Sequence, residues 1–335
     1  MEQLLSFLER NTIRFLTHRK ALKAYEVANK PKRTFIGEVK GWADALVFAV
    51  FAVLLINQYI FQLFVIPTPS MDGTLNVGDR VFVSKTIYGI EIYPSGPKIL
   101  SRNRQVNRDD IITFYNPEYT SKGPFFDILS QIIYMGTFSL VNIDRNVDGS
   151  IAERLYVKRA IGMGSEHIRF NDGNIEIKKA GFADYQDDES FRSSLDLVNG
   201  PHRSIEAGLY SGIKAWGSLF GYQEAGLDIN SAPSYLKSQY TSVQNDNYPD
   251  DMYAFEKAKY RTKHLFDPSD SSARSASAAY RRGIYVPHDT VLPLGDNRDN
   301  SRDGRYFGPV SQKKINGSVR FLFWPLTRIR YMGNK

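Results

Sequence analysis

The chain has 335 residues, of which 42% are hydrophobic and 24% charged. That is a globular balance; it sets aside a disordered chain and leaves room for one large domain or two modest ones. The net charge of +7 is a mild excess whose placement matters more than its size, and the absence of cysteine excludes disulfides, thiolate catalysis and cysteine-ligated zinc.

Residues 1–40 carry Arg10, Arg14, Arg19, Lys20, Lys23, Lys30, Lys32, Arg33 and Lys40 against four glutamates. Within them "LLSFLERNTIRFL" has helical spacing and a basic polar face, suited either to the inner leaflet of a membrane or to packing on the next segment. From Ala45 to Ile66 no residue is charged. As a helix this stretch would be about 33 Å long, enough to cross a hydrocarbon core. It starts late in the chain and no small-residue cleavage site follows it, so we read residues 41–66 as a retained anchor. The positive-inside rule keeps residues 1–40 in the cytoplasm and puts everything after residue 66 on the outer face. The basic excess then lies on the cytoplasmic side, which argues against a nucleic-acid binder.

Beyond the anchor the pattern is β. "DRVFVSKTIYGIEIY" alternates and is rich in β-branched and aromatic residues, and "DDIITFYNP" is a shorter run closed by Asn-Pro. "ERLYVKRAIGM" and "EHIRFNDGNIEIKKAG" continue it, with Asn-Asp-Gly marking a hairpin. In the first of these, Tyr156, Lys158 and Ala160 fall on one face and Leu155, Val157 and Arg159 on the other. Residues 180–282 are rich in Ser, Tyr, Ala and Asp with few apolar runs, and read as a large insertion with a weak core of its own or a mobile lid. Strand signals return at "GIYVPHDTVLPLGDN" and "GSVRFLFWPLTRIRYM". The expected fold class is mainly β: an N-terminal transmembrane helix, then an exported antiparallel catalytic domain formed by 67–179 and 283–335, with 180–282 inserted.

Three stretches can carry chemistry. "PTPSM" delivers Ser70 from between prolines into a turn. "LYVKRAIGM" holds Lys158. "GDNRDNSRDGRYFGP", residues 295–309, is dense in turn formers and alternating charge. The third partly mimics a calcium loop, with Asp299, Ser301, Asp303 and Gly304 at positions one, three, five and six. Val310 stands where a bidentate glutamate is required, and Arg302 and Arg305 would repel the ion. No metal and no cofactor is expected.

In this order behind an anchor, the three stretches resemble the boxes of type I signal peptidases, the membrane-bound Ser/Lys peptidases of the bacterial export pathway. The resemblance covers the anchor and residues 64–115, 153–178 and 283–331, including Val286-Pro287 and "FWPLTRI". It departs at Gly73, where the family usually has proline, and at Pro69, where glycine or aspartate is more familiar. It implies Ser70 as nucleophile and Lys158 as general base, with an oxyanion hole made by the Ser70 N–H and the Thr68 hydroxyl. It also implies that Ser301 orients the lysine within hydrogen-bonding reach, and that an Asp303–Arg305 ion pair holds the turn with support from Asp296 and Arg298. Pro69, Met71 and Tyr156 would contact substrate. The partners so implied are signal-peptide-bearing precursors and the lipid bilayer of the bacterial cytoplasmic membrane.

A lysine amine accepts a proton near neutrality only if burial depresses its pKa. The five histidines (His18, His167, His202, His264, His288) are scattered and none lies in a box. Topology bears on "FFDILSQIIYMGTFSL", Phe125 to Leu140: a single crossing there would part Ser70 from Lys158, so it should not span, and it either dips into the lipid interface or joins the core. The rival readings are another Ser/Lys peptidase, such as a self-cleaving repressor or a conjugation-system enzyme, and an inactive anchored homologue acting as a scaffold. No DNA-binding domain is visible for the repressor, and intact Ser70, Lys158 and Ser301 argue against the scaffold.

Overall fold

The computed structural model describes residues 2–28, 34–94, 96–99, 105–136, 141–146, 148–150, 152–195, 197, 205–244 and 251–333. These divide into two compact units, 1–53 and 54–335. The first holds helix α1 (Glu2–Ala28) and most of α2 (Phe35–Tyr59). Much of the 4–16 stretch lies outside the described side chains. Helix α2 is long and apolar enough to cross a membrane, and it alone is so among the described residues.

The helix does not run to Ile66, and this corrects the anchor limits read from hydropathy. It starts at Phe35, where the Thr34 hydroxyl accepts from the Gly37 N–H at 3.3 Å. It ends where polar residues arrive. Gln58 Nε2 donates to the Glu91 carbonyl at 3.2 Å and Tyr59 Oη to the Ile92 carbonyl at 3.0 Å. The next residues, Phe-Gln-Leu-Phe-Val, alternate and carry aromatic and β-branched side chains, so they pair as a strand instead.

The second unit is built on antiparallel sheets. Strand β1 (Phe61–Val65) pairs along its whole length with β2 (Arg80–Ser84). The run 79–93, expected as strand throughout, turns after Ser84 and resumes as β3 (Ile90–Glu91), which pairs with β4 (Lys98–Ile99). β5 (Ile111–Tyr115) lies beside β6 (Leu155–Gly162), with Ile112 opposite Lys158. β7 (His167–Asn171) and β8 (Asn174–Lys178) form the expected hairpin, and join β9 (Gln186–Asp187) and β10 (Ile284–Tyr285) in a four-stranded sheet. β11 (Thr290–Leu294), β12 (Val310–Ser311), β13 (Ile315–Trp324) and β14 (Arg330–Tyr331) complete the main sheet. Its order is β1-β2-β13-β5-β6-β11-β12, with β14 on β13.

That sheet is buried on both faces. One face packs Ile66, Met71, Leu75, Val83 and Val319 with Val157 of β6. The other packs Ile112, Phe114, Ala160, Val291 and Ile315 with Tyr156. The alternation read along β6 is therefore the one that divides its side chains between two cores. β11 pairs with β6 only from Arg159 onward. The edge of Leu155–Lys158 away from β5 is thus unpaired among the described residues, as is one edge of β1.

Apart from β9, the regular structure in the described part of the insertion is helical, its α-helices being α4 (Asp188–Ser193), α5 (Tyr210–Glu224), α6 (Ser234–Gln244), α7 (Met252–Phe266) and α8 (Ser271–Arg282). Aspartates cap three of them. Asp187, Asp251 and Asp270 each accept from backbone N–H groups of the first turn. Helices α5 and α7 approach so closely that a Cβ at Gly217 would come within 2.2 Å of the Phe255 carbonyl oxygen. A core of Tyr210, Ile213, Val243, Ala254 and Phe255 forms there.

Helix α3 (Pro124–Gly136) has 13 residues, about 20 Å at 1.5 Å per residue, too short to span. Residues 137–140 of the apolar stretch lie outside the described residues. Asp127 in its first turn is buried and paired with Arg154 at 2.7 Å. Phe125, Ile128, Leu129 and Ile132 are exposed.

Candidate active site

Between β1 and β2 the chain makes a closed loop that presents Ser70. Pro69 opens a single 3₁₀ turn, Pro69–Met71, in which its fixed φ suits the first position. Met71 and Leu75 point into the core and anchor the turn from below. The loop is tied at its base, where Ile66 N–H donates to the Asp79 carbonyl and Gly78 N–H to that of Ile66, both at 2.9 Å. Arg328 clamps the Asp79 carboxylate with Nη1 at 2.8 and 2.9 Å from its two oxygens.

Strand β6 brings Lys158 to this loop. Lys158 Nζ donates to Ser70 Oγ at 2.6 Å, and both side chains are buried. Burial pushes the lysine pKa down from the usual 10.5 to about 8. Asp303 and Glu153 pull the other way without cancelling it. At pH 7 about a tenth of the molecules then carry the neutral amine that a base requires, against fewer than about one in a thousand for an unburied lysine.

The turn 295–303 backs the loop. Asn297 N–H donates to the Ser70 carbonyl at 3.1 Å and Asn297 Nδ2 to the Pro69 carbonyl at 3.2 Å. Gly295 is the point of closest approach: a Cβ there would lie 2.5 Å from the Ser70 carbonyl oxygen and 2.2 Å from Ser301 Oγ. Asp303 pairs with Arg305 at 2.9 Å and also accepts from the Gly295 N–H at 2.9 Å. Arg305 belongs to the short helix α9 (Gly304–Phe307). Burial alone would raise the carboxyl pKa of Asp303, but the Arg305 guanidinium outweighs it and keeps the group ionised.

Ser70, Lys158, Thr68, Pro69, Met71 and Tyr156 all line one groove of about 560 Å³. Thr68 has an extended backbone, and its hydroxyl makes no hydrogen bond among the described residues. Tyr156 stacks on Phe307 with ring centroids 5.9 Å apart. Met71 is 1% exposed and serves chiefly as core. Ser301 does not hydrogen-bond Lys158. Its hydroxyl is buried beside Gly295 and has no partner among the described residues. Asp296 does not pair with Arg298. It takes a bidentate pair from Arg159, at 2.8 and 2.6 Å, while Arg298 donates to the Gly295 carbonyl at 2.9 Å. Arg159 and Asn297 are the residues that motif reading left without a role. The one sequence signal for Arg159 is that it shares a strand face with the apolar Leu155 and Val157. His202 lies outside the described residues, and no other histidine lines the groove.

Residues 39–324 match the family described as signal peptidase, peptidase S26. The chain belongs to this family of signal peptidases, which are serine endopeptidases. The peptidase is 26% identical over 275 residues to signal peptidase I of Buchnera aphidicola from Acyrthosiphon pisum, covering 80% of this chain and 69% of the relative. It is 23% identical over 311 residues to signal peptidase I of Helicobacter pylori strain J99, covering 88% and 85%. With signal peptidase I of Haemophilus influenzae it shares 23% over 310 residues, covering 91% and 75%. The match spans β1 to β13 and therefore takes in all three boxes.

Proposed function

We propose that the protein is a membrane-anchored endopeptidase that removes signal peptides from exported precursors, with Ser70 as nucleophile and Lys158 as general base. The observation that carries this reading is the 2.6 Å contact between Lys158 Nζ and Ser70 Oγ inside a groove. A hydroxyl needs a base beside it to attack a carbonyl, and here the base is a buried amine. The neutral amine takes the Ser70 proton as Oγ bonds to the scissile carbonyl carbon. The Thr68 hydroxyl and the Ser70 N–H hold the developing oxyanion. The resulting ammonium returns its proton to the departing amine, and the amine then activates water to release the acyl group.

The unpaired edges of β1 and of Leu155–Lys158 suit an extended substrate, which would add as a strand and leave alternate side chains to small pockets. Helix α2 anchors the chain, the N-terminal 40 residues stay cytoplasmic and Ser70 follows the helix closely, so cleavage takes place at the outer face of the cytoplasmic membrane. The exposed apolar face of α3, whose Gln131 donates to Gln58 at 3.3 Å, rests in the lipid interface beside the incoming precursor. The test is to incubate the detergent-solubilised protein with a secretory precursor and sequence the new N-terminus. Cleavage after small residues at −1 and −3, lost in Ser70→Ala and Lys158→Ala, is expected. Near-normal cleavage by either variant would remove the dyad.

A further inference from the structure

The turn 295–305 carries six charged side chains, and their partners lie in different parts of the chain. Asp296 is held by Arg159 of β6, Arg302 by Glu118, and Asp303 by Arg305. The other contacts reach into the helical insertion. Tyr210 Oη, at the start of α5, donates to Asp299 Oδ1 at 2.5 Å, and the Ile205 N–H donates to Asp299 Oδ2 at 2.8 Å. Arg298 lies 3.5 Å from Asp188 of α4. Arg305 lies 3.9 Å from Asp251, the residue that caps α7. Asp299, Tyr210, Arg298 and Asp251 are each at most 3% exposed. Nearby, Arg192 of α4 makes a bidentate pair with Asp109 at 2.7 and 2.6 Å, and Asp109 in turn lies 4.0 Å from Arg159.

Buried charges of this kind hold a conformation because a partner lost leaves a charge without water. Asp299 stands two residues from Asn297, whose N–H and Nδ2 support the Ser70 and Pro69 carbonyls. The Asn300 N–H closes the turn on the Asn297 carbonyl at 3.2 Å. A displacement of Asp299 is therefore passed to the backbone of the nucleophile through two residues of tight turn.

We propose that the helical insertion is a positioning element for Ser70: Tyr210 on Asp299 and Asp251 on Arg305 fix the 295–305 turn against the nucleophile loop. The inference rests on Ser70 being the nucleophile. It makes the insertion part of the working site rather than a lid. Tyr210 and Asp251 touch no substrate; they act through Asn297 and Gly295. Misplacement of a reacting group by a fraction of an ångström to an ångström costs rate more than binding, with losses up to about 100-fold.

The experiment compares three variants of the full chain in detergent. Tyr210→Phe keeps the ring in its core and removes the hydroxyl from Asp299. Asp251→Asn keeps the α7 cap and removes the charge facing Arg305. Tyr222→Phe, on the same helix α5, removes a hydroxyl whose contact is Ser231 at 3.3 Å and which does not meet the turn. Precursor cleavage gives kcat and KM, and amide hydrogen exchange reads the protection of 295–303. Tyr210→Phe and Asp251→Asn are expected to lower kcat about tenfold with KM within about twofold, and to speed exchange in the turn. Tyr222→Phe should leave both unchanged. Wild-type kcat and exchange in Tyr210→Phe and Asp251→Asn, or an equal kcat loss in Tyr222→Phe, would overturn the proposal. If Ser70→Ala still cleaved, the functional reading would fall instead, and the exchange rates would still report whether the insertion braces the turn.

Discussion

Replacing Lys158 by methionine should abolish cleavage and yet stabilise the fold at neutral pH. Methionine matches the length of the lysine stem and suits a buried strand position. In the folded protein burial holds the lysine pKa at about 8, against 10.5 for an unburied side chain. At 1.36 kcal/mol per unit, that gap means a charged Lys158 costs the folded state about 3 kcal/mol. The variant also loses the 2.6 Å hydrogen bond to Ser70 Oγ, worth about 1 kcal/mol, so the net gain is about 2 kcal/mol. The pH dependence has a fixed sign. Below the folded pKa both states bind the proton and the penalty is full. Between about 8 and 10.5 the unfolded chain holds a proton that the folded chain has released, so wild-type stability climbs with pH and the advantage of methionine shrinks. Urea unfolding of the detergent-solubilised proteins at about pH 6.5 and about pH 10.5 measures this directly. A methionine variant less stable than wild type at the lower pH, or equally favoured at both, would mean that burial is not what depresses the lysine.

The same pKa sets the activity profile: kcat/KM should rise with pH through about 8 and level off above it, and the rise should survive replacement of all five histidines. Thr68→Val should lower kcat about 100- to 1000-fold, some 2.7 to 4 kcal/mol of transition-state stabilisation, with KM and thermal stability little changed. Thr68→Ser should stay near normal; equal rates for valine and threonine would leave Thr68 a turn residue. Asp303→Leu should unfold or inactivate the protein, since it removes the 2.9 Å carboxylate partner of buried Arg305 and leaves only that of Asp251 at 3.9 Å among the described residues, at a cost of up to about 3 to 5 kcal/mol, and thermal melting checks it. Reporter fusions after residue 40 should read cytoplasmic and those after residues 118, 150 and 200 external. A cytoplasmic signal at 150 would mean that α3 crosses after all.

The sequence by itself determined the elements whose signal is local. An uncharged run long enough to cross a membrane, period-two alternation along β2 and β6 to β8, the Asn-Asp-Gly hairpin and three dense boxes are all legible without a fold. So is the need for a depressed lysine, because no histidine stands in a box. Tertiary structure decided where local signals conflict or fall silent. Phe61–Val65 is as apolar as the helix before it and becomes strand because β2 offers a matching edge. Residues 210–224 form helix α5 although Gly212, Gly217 and Gly221 disfavour a helix interior. Those glycines let α5 lie against its neighbouring helices, and packing outweighs propensity. Charge partners were the least legible part. Asp296 chose Arg159 over Arg298, and Asp299 and Arg305 found Tyr210 and Asp251 in the insertion. A buried charge is satisfied by whatever the fold brings within reach, and nothing in the local sequence says what that will be.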